Sequence, residues 1–141
     1  MVWEIIKTFV IPSVVAILTY IIKENLTAKK NIKVHARLIM FDIIKTKELI
    51  ESHSDNNSVP GYKISILPDW RNSFYIISTK LTKKEARDIL DYYFEFEKLL
   101  LIQTKYNETK SDECVPVFLY SCELLLEMDM ANIINKLDRI S

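Results

Sequence analysis

The chain has very few residues that break helices: one glycine and four prolines among 141 residues. A fold with many tight turns, such as a β-sandwich, needs far more of both. Long helices tolerate the shortage, and the abundance of Leu, Lys and Glu favours them. The single glycine also argues against the glycine-rich loops that cradle phosphates. We therefore predict an all-α fold.

Residues that usually carry chemistry are also scarce. The two cysteines, Cys114 and Cys122, do not form a CxxC pair, and they are too few for a zinc site. His35 and His53 would lie about 27 Å apart along one helix, too far to share a metal. Glu123 and Glu127 are paired carboxylates at one-turn spacing, but they lack the nearby histidine of a di-metal bundle site. We expect no catalytic residue, no metal and no cofactor, and thus a protein that is not an enzyme.

In contrast, residues 8–22 form a continuous uncharged and largely apolar run. As a helix this run spans about 22 Å, and extending it back to Val2 gives about 31 Å, close to the thickness of the hydrocarbon core. We therefore predict that residues 1–23 are a transmembrane anchor. The residues expected to position it are Trp3 and Tyr20 at the two interfaces, the ion pair of Glu4 and Lys7, and Pro12 at a kink.

The predicted topology follows from the distribution of Lys and Arg around this run. Only Lys7 precedes it, whereas a juxtamembrane basic group follows it: Lys23, Lys29, Lys30, Lys33 and Arg37. Positive residues favour the cytoplasmic side, so we expect a single-pass protein of the inner or plasma membrane with a cytoplasmic body. Two alternatives stay open. One is a cleaved signal peptide, for which no suitable cleavage site is present, and the other is a buried first helix of a soluble bundle.

We predict that residues 24–141 form one domain, an antiparallel bundle of about three to four helices. No glycine or proline interrupts residues 24–54, and two rows of apolar residues follow helical spacing. These rows contain Ile32, Ala36, Ile39, Ile43 and Ile50, and Val34, Leu38, Phe41 and Leu49. Together they predict a wide buried stripe on a helix that continues directly from the anchor.

An irregular segment is expected over about residues 55–81. Its first part is polar and contains the Pro60-Gly61 pair, which indicates a loop. For residues 62–80, a short helix beginning at Trp70 and a two-stranded hairpin both fit the sequence. The helix is favoured because an isolated hairpin is only marginally stable.

The second half of the chain has clearer helix signals. Thr82 and Glu85 form a capping box, which predicts a helix from this point to about Lys105. Polar residues 106–113 then predict a loop. Pro116 suits the first turn of a single last helix. The short connections favour antiparallel neighbours.

Aromatic residues concentrate near the middle of the chain: Trp70, Tyr92, Tyr93, Phe94 and Phe96. Two interpretations stay open. The rings could form part of the core with one ring exposed, or they could provide an interaction surface for a partner helix or for lipid, because exposed aromatic rings concentrate binding energy.

This layout predicts a non-enzymatic, membrane-tethered helical interaction or regulatory module at the inner face of a bacterial membrane. Its expected partners are the lipid bilayer and either an unidentified protein or a second copy of the chain. Nucleic acid is not expected, because no aromatic residues alternate with the lysines. The alternative function is a small membrane-perturbing effector, holin-like or toxin-like, whose N-terminal helices associate. Glu4 and Lys7 motivate it, since ionisable groups within a membrane are costly and often functional.

Overall fold

The computed structural model describes residues 11–141, which fold into five α-helices with no β-strand among them. The helices are α1 (Ile11–Asp55), α2 (Trp70–Ser78), α3 (Lys83–Thr109), α4 (Cys114–Glu127) and α5 (Ala131–Ile140). The predicted all-α bundle is confirmed. The predicted number of three to four helices is wrong for this part of the chain, because the expected last helix is divided in two.

The long helix α1 is continuous over 45 residues, and it enters the core only in its second half. Four members of the first apolar row are buried there: Ala36, Ile39, Ile43 and Ile50. The predicted wide stripe is wrong, because Val34, Leu38 and Phe41 of the second row are exposed, Phe41 by 61%. The reason is that α2, α4 and α5 all pack on one side of α1 and leave its opposite side uncovered.

Helix α2 runs antiparallel to α1, as two hydrogen bonds demonstrate. The Leu67 backbone N–H donates to Asp42 Oδ1 at 3.0 Å, and six residues later the Ser73 hydroxyl pairs with His35 Nδ1 at 2.9 Å. As the chain advances from 67 to 73, its contacts on α1 therefore move back toward the start of the bundle. The short helix predicted for residues 62–80 is confirmed and the hairpin is excluded.

The predicted capping box starts α3 as expected. Thr82 Oγ1 accepts from the Glu85 N–H at 3.2 Å, and the Glu85 carboxylate accepts from the Thr82 N–H at 2.7 Å, a bond that lowers the pKa of Glu85. The predicted end near Lys105 is too early. The helix reaches Thr109, where Lys110 takes a left-handed conformation with φ of 52° and its N–H donates to the Tyr106 carbonyl.

The side chains of Asp129 and Lys47 favour the division between α4 and α5. Met128 leaves the helix in an extended conformation, and the Asp129 carboxylate then accepts from the Ala131 N–H at 3.0 Å at the start of α5. Lys47 of α1 donates to the carbonyls of Leu126 and Met128. Burial lowers the pKa of Lys47, and the nearby Asp129 opposes that shift.

A buried glutamine fixes the loop between α1 and α2. The Gln103 side-chain amide donates to the carbonyls of Pro60 and Tyr62, at 3.0 and 2.7 Å, and its oxygen accepts from the Ile64 N–H at 3.2 Å. The bonds to the Pro60 carbonyl and the Ile64 N–H are buried, and backbone groups in such positions need a partner. Gln103 therefore replaces the secondary structure that this segment lacks.

Candidate functional site

The first half of α1 extends beyond the bundle. Every side chain over residues 12–31 is exposed, and this stretch is about 30 Å long at 1.5 Å per residue. Its large apolar side chains point to all sides of the helix: Val14, Val15, Ile17, Leu18, Tyr20, Ile21, Ile22 and Leu26. An apolar surface of this size is unusual for a protein that water surrounds, which makes it a candidate site of interaction.

The predicted anchor lies only partly within the described residues. Trp3, Glu4 and Lys7 are outside them, whereas Pro12 and Tyr20 belong to α1. The residues that would define a kink at Pro12 also lie outside. Among residues 11–141, no helix combines the length and the apolar character needed to cross a membrane. The transmembrane part of the predicted fold therefore finds no support in the described helices.

The predicted juxtamembrane basic group lies on α1 where the helix joins the bundle. All five members are exposed: Lys23, Lys29, Lys30, Lys33 and Arg37. None of them belongs to either of the two ion pairs formed within residues 11–141, which join Arg71 to Glu97 and Lys98 to Glu95. The positive charge of the group is therefore not compensated by a salt bridge with a described residue.

The bundle adds a cation that the sequence did not associate with this group. Because α2 runs back toward the start of the bundle, Lys80 just after it reaches the level of Lys29 and Lys33. These three lysines come from positions up to 51 residues apart in the sequence. No periodic pattern links them, and only the antiparallel packing of α2 on α1 brings them together.

The aromatic residues divide between core and surface. Trp70, Tyr92, Tyr93 and Phe96 are buried, so these four are not part of an interaction surface in this fold. Phe94 is 46% exposed and forms an open groove on α3 with Leu101 and several charged side chains. The arrangement follows from helical geometry, because positions 92, 93 and 96 share one face and position 94 points away.

A second exposed apolar patch lies on the outer side of α1. Val34, Leu38 and Phe41 are spaced by four and three residues, so their side chains are neighbours on one face. Along the helix, Lys29, Lys30 and Lys33 separate this patch from the exposed apolar stretch. The sequence did reveal the periodicity of this row, but not which of the two rows would be covered.

The described residues contain no group of three or more His, Cys, Asp or Glu side chains placed to bind a metal. Cys114 and Cys122 are free and buried, and burial raises the pKa of the Cys122 thiol to about 11, which disfavours the reactive thiolate. No family model matches the sequence, and neither a curated protein nor a solved structure is significantly similar to it. The exposed surfaces of the molecule are thus the features from which its function is inferred.

Proposed function

We propose that this chain is a non-enzymatic, membrane-tethered interaction or regulatory module at the inner face of a bacterial membrane. The N-terminal apolar stretch enters the bilayer, and the helical bundle binds an unidentified protein or a second copy of the chain. The observation that carries the proposal is the start of α1, where apolar side chains are exposed on every side over residues 12–22.

A hydrocarbon environment accounts for this exposure better than contact with one protein surface does. A helix that packs against a single partner buries one stripe and keeps a polar opposite face. Here residues 12–22 carry no charged side chain on any face, and Lys23 is the first charged residue of α1. The uncharged run begins at Thr8, before the described residues, so the stretch available to the bilayer is longer than α1 alone presents.

The orientation rests on the juxtamembrane basic group. Its five cations lie within about 22 Å along the helix axis after the apolar run. Positive residues in this position are retained on the cytoplasmic side and are attracted by anionic lipids of that leaflet, by about 1 kcal/mol each. The bundle is therefore on the cytoplasmic side.

The continuity of α1 supports a regulatory role. The same uninterrupted helix carries the exposed apolar stretch at one end and the buried residues Ala36 to Ile50 at the other. A displacement of the membrane segment is therefore transmitted to the core. The patch of Val34, Leu38 and Phe41 lies on the outer face of the helix, beside the first buried residues of the core, and provides an apolar surface for a protein partner.

Placing a charge in the apolar stretch is expected to release the protein from membranes. Val15→Lys puts a cation near the middle of residues 8–22, at a cost of about 2.5 to 3.5 kcal/mol, or about a hundredfold in partitioning. The measurement is fractionation of bacteria that express the full chain. The matched control is Leu101→Lys, because Leu101 is an exposed apolar residue of α3, outside the stretch.

Three outcomes are distinguishable. Loss of the Val15→Lys variant from the membrane fraction, with Leu101→Lys retained, supports tethering. A wild-type chain in the soluble fraction would contradict it. Collapse of the membrane potential on expression of the wild-type chain would instead favour the membrane-perturbing effector.

The interaction part of the proposal has its own test. A photo-crosslinking amino acid in place of Phe41 is expected to yield a discrete higher-mass product in cells, because the patch is apolar and uncovered. Position 75 is the control, since Tyr75 is also exposed but has no comparable apolar neighbours in the described fold. Equal crosslinking at both positions, or none at position 41, would contradict a role of the patch in binding a protein.

A further inference from the structure

A shallow apolar cavity lies where α1 leaves the bundle. Its floor consists of Ile32 of α1 and Ile140 at the end of α5, and its rim consists of Lys29, Lys33 and Lys80. The cavity volume is about 190 Å³. Three separate parts of the chain thus converge on a site that is apolar inside and cationic at its edge.

The three lysines of this rim form no salt bridge with any described residue. No acidic side chain lines the cavity, and both ion pairs of the described residues involve glutamates of α3 elsewhere on the molecule. Three like charges that surround one small cavity repel each other, and an anion bound between them removes that repulsion. The lysines therefore form a cationic site rather than isolated solvated charges.

Along α1, the cavity lies close to the position expected for the membrane surface. Lys29 follows the end of the apolar run at Ile22 by seven residues, or about 10 Å of helix. The polar headgroup layer extends about 5 to 8 Å beyond the hydrocarbon core on each side, so the backbone of Lys29 lies just beyond it. Long lysine side chains extend along the helix and reach back to this layer.

We propose that this cavity binds the headgroup of an anionic phospholipid from the bilayer that holds α1. The phosphate oxygens accept hydrogen bonds from the ammonium groups of Lys29, Lys33 and Lys80, and the glycerol end of the lipid lies on Ile32 and Ile140. The shared chemistry is a phosphate, and the apolar floor favours a lipid over free phosphate. This inference rests on the proposed function, because it requires the membrane next to the bundle.

Such a site makes the bundle responsive to lipid composition. Lys80 lies two residues after the end of α2 and Ile140 ends α5, so a bound lipid joins the ends of both helices to α1. Anionic lipid then stabilises the packed arrangement of these helices, while a neutral bilayer leaves the rim charges repelling each other.

The test uses the full chain, purified in a neutral detergent and titrated with phosphatidylglycerol or phosphatidylcholine, with lipid-bound chains counted by native mass spectrometry. The site variant is Lys29→Gln/Lys33→Gln/Lys80→Gln. Each lysine near an anionic headgroup contributes about fivefold in affinity, so we expect the variant to bind phosphatidylglycerol at least tenfold more weakly. The control Lys45→Gln/Lys63→Gln/Lys105→Gln removes the same charge from exposed positions outside the cavity and is expected to stay within twofold of wild type.

A second variant, Ile140→Asp, adds an anion to the floor and is expected to weaken phosphatidylglycerol binding as well. Equal binding by the site and control variants would overturn the proposal, as would equal binding of phosphatidylcholine. Displacement of the lipid by inorganic phosphate at comparable concentration would identify a free-phosphate site and also overturn it. If lipid binding behaves as expected but the chain is absent from cell membranes, the proposed tethering fails while the cavity remains a phosphate-lipid site.

Discussion

Replacing Trp70 with alanine is expected to lower the free energy of unfolding by about 3 to 5 kcal/mol, because it removes a large buried ring and leaves a cavity. The indole is only 2% exposed. It stacks on Tyr93 with ring centroids 4.4 Å apart and planes 5° from parallel, and Phe94 meets it edge-on. Its Nε1–H donates to Glu97 at 3.0 Å. The measurement is denaturant unfolding of the full chain in mild detergent, followed by circular dichroism.

The control variant is Tyr75→Ala, on the same short helix. Tyr75 is 76% exposed, so its removal is expected to change the free energy of unfolding by less than about 0.5 kcal/mol. Trp70→Phe should fall between the two, since it keeps an apolar ring but loses the bond to Glu97. Equal stability of the Trp70→Ala and Tyr75→Ala variants would contradict the buried position of the indole.

The importance of Trp70 extends beyond its own burial because it fixes α2 against α3. Glu97 accepts the indole N–H and pairs with Arg71 at 2.8 Å, so one carboxylate holds two consecutive residues of α2. Arg71 also lies over the Trp70 ring at 4.6 Å. Loosening α2 would release Lys80 from its place beside Lys29. We therefore expect substitutions that weaken the packing of Trp70 also to disturb the position of Lys80 in the cationic rim.

The parts of the fold that were predictable from sequence depend on neighbouring residues. The capping box of Thr82 and Glu85 is complete within four positions, and the start of α3 follows from it. The continuity of α1 after Pro12 follows from the absence of glycine and proline over residues 13–55. The short helix at Trp70 was predictable because the alternative, an isolated two-stranded hairpin, is only marginally stable.

The features that the sequence did not reveal depend on distant residues. The break after Glu127 has no glycine or proline, and Lys47 contributes to it from about 80 positions away. The choice between the two apolar rows of α1 depends on where three other helices pack. The candidate cationic site likewise depends on the direction of α2, because the antiparallel packing of α2 on α1 places Lys80 beside Lys29 and Lys33. Only the α1 part of that site was apparent from the sequence.

Alkaline pH is expected to destabilise the bundle strongly, because three buried acids share its core. Burial raises the pKa of Cys122 to about 11 from its ordinary 9.0. Burial also raises the pKa of Tyr92, against the effect of its bond with Thr46, and the pKa of Tyr93, to which the Asp42 carboxylate adds. The Tyr93 hydroxyl donates to Asp42 at 2.9 Å, a bond that its ionisation would destroy.

The direction in which the free energy of unfolding changes with pH follows from proton linkage. A group with a raised pKa in the folded state keeps its proton after the unfolded chain has lost it, so stability is full below the unfolded pKa and falls as pH rises. The loss begins near pH 9 with Cys122 and steepens above pH 10 with the two tyrosines. Lys47, whose pKa burial lowers, opposes the trend. We expect a net loss of about 4 kcal/mol between pH 8 and pH 11.

Unfolding free energies of the reduced full chain at pH 8 and pH 11 test this, with tyrosinate absorbance recorded in parallel. Cys122→Ala is expected to shrink the pH-dependent loss by about 2 kcal/mol, and Tyr93→Phe by about 1.4 kcal/mol, because each removes one linked proton. Two tyrosinates should appear together with the loss of helical signal, since Tyr92 and Tyr93 ionise only when the core opens. A free energy of unfolding that is constant from pH 8 to pH 11 would contradict the buried positions of these three groups. A pH-dependent loss that is the same in both variants as in the wild type would contradict them as well, because ionisation of Cys122 and Tyr93 would then not be linked to unfolding.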